Sequence, residues 1–173
     1  EYLFSFQTPE GDIRGIFGYQ YAPHYTAGMI ELLIKAGYAD DPRIARSFDW
    51  YLATRQDDGG WAWPLRTAKV NYYDAIEQPD PVQTVRSKPF AHGLTGFVLR
   101  AFAAHPGYRT SAAAREAGAL MKSRFFKPDK VALVQGYYRR YDVWAIGMAG
   151  FTPIPYKVFT IGAGFGQISF PTF

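Results

Sequence analysis

The sequence predicts an all-α fold built from repeated helical hairpins, and three observations carry that prediction. A phrase occurs twice: Tyr2-Leu3-x3-Gln7-x3-Gly11-x-Ile13 returns 49 residues later as Tyr51-Leu52-x3-Gln56-x2-Gly59-x-Trp61. Repetition at such a period marks stacked supersecondary units. Between the phrases, apolar residues recur at helical spacing. Cap and breaker residues stand where those helices start and stop.

Each element follows from these signals in turn. Residues 1–13 read as the tail of a hairpin whose front is missing. Tyr-Leu then belongs to the last turns of a helix and faces the core. Residues 22–37 read as a helix with a wide apolar face of Met29, Ile30, Leu32, Leu33 and Ile34, stopped by Gly37. Asp41-Pro42 restarts the chain, with Asp as N-cap and Pro at the first helical position. Ile44, Phe48, Tyr51 and Leu52 fall at i, i+4, i+7 and i+8, one face of the second helix. The phrase closes this hairpin: the Gln7 or Gln56 amide reaches unpaired backbone groups at helix ends. Gly11 or Gly59 permits the left-handed stop, and Trp61 covers the corner.

Residues 62–90 break the rhythm with Pro64, Pro79, Pro81 and Pro89, the aromatics Trp63, Tyr72 and Tyr73, and four basic residues, Arg66, Lys69, Arg86 and Lys88. One short helix is expected near 72–77. Long excursions inside compact domains are usually functional or mobile. The hairpin then returns: Leu94, Phe97, Val98, Ala101 and Phe102 share a face, Pro106-Gly107 turns, and Thr110 or Ser111 caps a helix running to about Phe125. Phe125 stands where the corner glutamine is expected, so the third corner is degenerate.

Composition bounds the remainder. The chain has 173 residues, 48% hydrophobic and 18% aromatic, enough for a core, and a net charge of +4. It has no cysteine, which removes disulfides and thiolate metal sites. From about 131 the grammar changes. Residues 143–173 carry Lys157 as their single charge, with Pro153, Pro155 and Pro171. Neither uncharged piece reaches the roughly 18–20 residues of a simple spanning helix. The basic cluster Lys122, Arg124, Lys127, Lys130, Arg139 and Arg140 precedes this tail, as on a cytoplasmic flank. The expectation is a broken, re-entrant hairpin in contact with a membrane, with Lys157 meeting Asp142 or a lipid phosphate, or reaching water if the tail packs on the helices. The expected location is the cytoplasm or the cytoplasmic face of a membrane. The chain begins at Glu1 and ends in an apolar run, so both ends read as cut.

Tyr51-Leu52-x3-Gln56-Asp57-Asp58-Gly59-Gly60-Trp61 resembles the Gln-Trp motif of the prenyltransferase and squalene-oxidase repeat. That repeat belongs to the α/α-toroid superfamily of squalene-hopene cyclases, other class II terpene cyclases and protein prenyltransferase β-subunits. The resemblance covers residues 1–130 and implies an incomplete α/α-toroid-like array with an isoprenoid or lipid ligand. Cyclases of that family protonate substrate with an Asp-x-Asp-Asp acid, which this chain lacks, and the prenyltransferase zinc site needs a cysteine. No metal and no cofactor is expected. Gly150-Phe151-Thr152-Pro153-Ile154-Pro155-Tyr156-Lys157-Val158-Phe159-Thr160-Ile161-x-Ala163-Gly164 resembles the re-entrant signature of the DedA (SNARE-associated) membrane family. That resemblance covers residues 142–173 and implies phospholipid or lipid-carrier movement.

The expected function is therefore a terpenoid-cyclase-like helical module for isoprenoid or lipid ligands, incomplete as an enzyme by itself. The alternatives are a fragment of a DedA-like membrane lipid transporter, a structural subunit of a larger assembly, or a cyclase completed by hairpins elsewhere. Asp57 and Asp58 are candidate acids, with hydrogen bonding at the corner as the plainer role. His24 and His92, each placed just before the first helix of a repeat, are a candidate acid/base or ligand pair, with boundary packing as the plainer role. Trp61, Trp63, Tyr72, Tyr73 and Lys157 are candidate ligand contacts. Gln7, Gly11, Gln56, Gly59 and Trp61 are the corner residues. Nothing resembles a nucleic-acid module.

Overall fold

The computed structural model describes residues 1–15 and 17–125. The chain divides into two compact units, 1–122 and 123–173. The boundary expected at 130, the tail 131–173, Lys157 and the third corner lie outside the described residues. Among the described residues every named element is helical. A 3₁₀ turn spans Tyr2–Phe6; α1 is Pro23–Leu33, α2 Pro42–Ala53, α3 Pro64–Ala68, α4 Tyr72–Ile76, α5 His92–Ala104 and α6 Ala112–Phe125.

The start and stop signals act through specific atoms. Proline opens α1, α2 and α3, where no amide partner is lost. The Asp41 carboxylate accepts from Arg43 N at 2.8 Å, and Arg43 beside it holds the Asp41 carboxyl down at about 2. Ser111 Oγ accepts from Ala114 N at 3.2 Å and opens α6. Beyond α1 the chain widens into a π-turn over Ile34–Tyr38, broken by Gly37 at φ +94°.

The core forms where α1 packs against α5 and α2 sits beside α1. It contains Ile30 and Leu33 of α1, Ile44, Phe48 and Tyr51 of α2, and Leu94, Val98 and Phe102 of α5. Phe48 meets Phe102 edge-on at 4.8 Å and stacks on Tyr108 at 4.0 Å. His105 stitches the two hairpin loops: Nδ1 accepts from Gly107 N and Tyr108 N, leaving Nε2–H to donate to Ala39 O.

Four apolar residues expected in the core face outward. Leu52 is 40% exposed, Phe97 44%, Leu32 53% and Tyr2 76%. On α2 the buried stripe is Ile44, Phe48 and Tyr51, and Leu52, about 40° beyond Phe48 round the helix axis, lies at its outer edge. Trp50, on the other side of Tyr51, is buried against Tyr21 instead. In the N-terminal turn Phe4 takes the inward place, because the segment is a 3₁₀ turn rather than the end of an α-helix.

The repeat itself is confined to the corners and the helices that hold them, and its register is 48 rather than 49. Thr8 N donates to Asp12 O, and Gln56 N to Gly60 O; Gly11 N donates to Thr8 O, and Gly59 N to Gln56 O. Gly11 and Gly59 both have positive φ, +117° and +95°. At the end of each corner one threonine hydroxyl holds a whole peptide edge. Thr26 Oγ1 accepts from Ile13 N and donates to Ile13 O, at 3.0 and 3.3 Å. Thr95 Oγ1 accepts from Trp61 N and donates to Trp61 O, at 2.9 and 3.1 Å. Thr8 is thus the counterpart of Gln56, and the counterpart of Gln7 is Arg55. Gln7 Nε2 donates to Gly11 O, Arg43 O and Ser47 Oγ. Arg55 makes the same reach with a longer side chain, to Gly59 O, Ala113 O and Glu116.

Thr26→Val leaves the buried Ile13 N–H and C=O without partners, whereas Thr95→Val leaves the Trp61 N–H alone, since Trp61 O also accepts from Ala91 N. Each substitution should cost about 1–3 kcal/mol in urea unfolding, with the larger loss for Thr26→Val.

Candidate functional site

The 62–90 excursion is pinned by buried side-chain amides rather than by regular structure. Gln20 Nε2 donates to Ala75 O and Asp80 O, and its Oε1 accepts from Val82 N. Gln56 Nε2 donates to Val85 O and Lys88 O, and its Oε1 accepts from Thr84 Oγ1. The returning strand of chain closes on the corner it left: Asp57 N donates to Arg86 O and Ala91 N to Trp61 O. Phe90 lies flush on Gly60, where a Cβ would stand 2.5 Å from Phe90 Cβ.

This folding-back leaves a cleft of about 420 Å³ between Trp63–Lys69 on one side and Lys88–Gly93 on the other. Trp63 and Phe90 supply apolar wall, and Arg66, Lys69, Lys88 and His92 supply basic groups. Arg66, Lys69 and Lys88 form no ion pair among the described residues. Lys69 ends α3 with φ +56° and is the one described non-glycine residue in the left-handed region. A second cleft, beside Arg55 and Asp57, has its charges paired internally, Arg55 with Glu116 and Arg86 with Asp57.

Next to Trp63 an aromatic cluster centres on His24. The Trp63 indole N–H donates to His24 Nδ1 at 3.3 Å. The rings of Phe17, Trp63 and Phe97 lie 5.7, 6.2 and 6.4 Å from the His24 ring. Burial lowers the pKa of His24 below the ordinary histidine value, so the ring is neutral and acts as one more weakly polar surface. Gly28 and Gly96, on α1 and α5, have open space where a Cβ would stand, so this part of the paired-helix surface is low and uncrowded.

The candidate residues thus separate. His24 and His92 both lie within helices, as the second residue of α1 and the first of α5, not before them. His24 faces Trp63, while His92 packs by Phe90 and lines the cleft. Trp61 is 1% exposed and its indole N–H donates to Tyr51 O, so it fills the corner. Tyr72 and Tyr73 are exposed on α4 and are absent from the cleft wall; Tyr72 packs edge-on against Phe17. Asp58 spends both oxygens on backbone, accepting from Gly60 N and Phe90 N. Asp57 is exposed and pairs with Arg86. Neither acid lies in an apolar cavity of the kind that holds a carboxyl protonated. Gln7, Gly11, Gln56, Gly59 and Trp61 all sit in the corners. Among the described residues no group of His, Asp and Glu could hold a metal ion, and no helix is long and apolar enough to cross a membrane.

Sequence reasoning missed Gln20, Thr26, Thr95 and Arg55. The two threonines carried a usable signal, since Thr26-Ala27 and Thr95-Gly96 are 69 residues apart and coincide when the returning helices are superposed.

No protein-family model matches the sequence, and no solved structure does. Over 37 residues the chain is 46% identical to the "Uncharacterized protein HI0703 homolog" of Histophilus somni. The match covers 21% of this chain and 19% of that protein, so the chain spans about a fifth of the length of the relative it matches.

Two outcomes test this geometry. His24 has a lowered pKa in the fold, so below the ordinary value of about 6.5 the unfolded chain takes up the proton first. Stability should fall as pH drops through 6.5 toward the folded pKa, and His24→Phe should flatten that part of the urea-unfolding pH profile. Lys69→Gly should raise stability by up to about 1 kcal/mol, because glycine occupies the left-handed region without strain.

Proposed function

We propose that residues 1–125 act as a helical-repeat binding module of the terpenoid-cyclase-like kind, which holds an isoprenoid or lipid chain against the α1–α5 surface and is not a complete enzyme by itself. The observation that carries this reading is the ring cluster of Phe17, His24, Trp63 and Phe97. It combines an exposed Phe97, a neutral histidine, an indole whose N–H is already satisfied, and two glycines that leave room beside it. Such a surface offers mainly aromatic contact area, which suits a branched hydrocarbon.

The placement of the acids supports a binding role rather than catalysis. Carbocation chemistry begins with a proton from an acid kept neutral in a dry pocket. Asp58 is committed to two backbone amides, and Asp57 to an arginine at the surface.

Titration with farnesol, followed by tryptophan emission, should give saturable quenching in the parent chain and a smaller change in Trp63→Phe. Phe97→Ser should weaken binding about fivefold, the equivalent of about 1 kcal/mol for one aromatic contact. Absence of saturable binding, or equal binding by Phe97→Ser, would remove the α1–α5 surface from the function.

A further inference from the structure

We propose that the cleft between α3 and the start of α5 is a phosphate-recognition site, taking the phosphate or diphosphate group of a small ester or of a lipid headgroup. It is a different site from the α1–α5 surface, although Trp63 stands at the edge of both.

The charge arrangement carries the inference. Arg66 and Lys69 come from the last turn and end of α3, and Lys88 from the far end of the excursion. These cations from two chain segments, about twenty residues apart in sequence, face one cavity of about 420 Å³. No acidic residue lines it. The nearby carboxylate of Asp58 is held behind the wall by Gly60 N and Phe90 N. Three exposed cations with no carboxylate among them raise the local potential, and an anion seated between them would lower it. Elsewhere among the described residues some cations are matched, such as Arg14 with Asp12 and Arg43 with Asp41, and others such as Arg46 and Arg109 are not; the cleft differs in gathering three unmatched cations on one cavity.

The shape favours a phosphate over a smaller or singly charged anion. A cavity of this size exceeds a carboxylate or chloride, and a guanidinium with two ammonium groups fits several oxygens at once. Trp63 and Phe90 then offer ring surface to the ester's organic part.

Isothermal titration of the full chain with inorganic pyrophosphate at low ionic strength should show one saturable site that weakens as salt rises. Arg66→Glu and Lys88→Glu should each weaken it about tenfold or more, and Lys88→Gln by less. Arg109→Glu, an exposed cation away from the cleft, should leave it unchanged. Circular dichroism and thermal melting of each variant verify that the fold is kept. Co-sedimentation with phosphatidic acid vesicles identifies the source. Vesicle binding that pyrophosphate competes away assigns the site to a headgroup; pyrophosphate binding without vesicle binding assigns it to a soluble ester. The proposal is overturned if neither probe binds saturably, or if Arg109→Glu weakens binding as much as Lys88→Glu. Since neither probe carries an isoprenoid, failure here leaves the farnesol result standing, and the converse holds.

Discussion

The structure depends on one interaction made twice: a threonine hydroxyl, buried in the first helix of a hairpin, grips both polar groups of a single corner residue. Thr26 does this for Ile13 and Thr95 for Trp61. The corners close with their own backbone bonds, Thr8 N to Asp12 O and Gln56 N to Gly60 O, and these leave the N–H groups of Ile13 and Trp61 to the threonines. Buried N–H and C=O groups left open would cost more than most packing contacts return. With both groups satisfied, Ile13 and Trp61 can bury completely, and each corner becomes part of the core between the helices. Gly11 is required by space as well as by dihedral angle, since a Cβ there would collide with the backbone carbonyl of Arg46.

The second corner carries a burden the first does not. It must hold its own turn and also anchor the long excursion. The side-chain work is therefore divided. Arg55 takes over the bonds that Gln7 makes in the first corner, which releases Gln56 to hold Val85, Lys88 and Thr84. Asp58 adds the amide of Phe90, and Phe90 closes on Gly60. The basic cleft is a consequence of this anchoring, since both of its walls start from the same corner. A motif that looks repeated in sequence has been re-used here to build a site.

The helices were legible because their signals are local. Asp41-Pro42, Gly37 and the apolar spacing of Ile44, Phe48 and Tyr51 each act within a few residues, and they predict α2 closely. The short helix expected near residues 72–77 is α4, whereas α3 was not anticipated, since Pro64 reads equally as a breaker and as a first helical residue. Leu52, Leu32 and Phe97 were misplaced because periodicity gives the centre of an apolar stripe better than its edges. The alignment of Gln7 with Gln56 was one residue off: side-chain identity suggested 49, while the backbone bonds require 48. Of the site, Trp63 and the basic residues of the excursion were visible as a composition, but not as one cleft.

By itself the sequence determined that residues 1–125 are helical, where their hairpins turn, and that the chain lacks an Asp-x-Asp-Asp acid or a cysteine-based metal site. These follow from residue type and short spacing alone. Only the tertiary structure decided which groups Asp57 and Asp58 bond at the corner, that Trp61 is buried while Trp63 is not, and that Arg66, Lys69 and Lys88 share a cavity. Those outcomes depend on contacts between positions twenty to sixty residues apart, made by Gln20, Gln56 and Asp58. A side-chain amide or carboxylate reads the same in sequence whether it meets water or a distant carbonyl, and the folded chain alone brings that partner into reach.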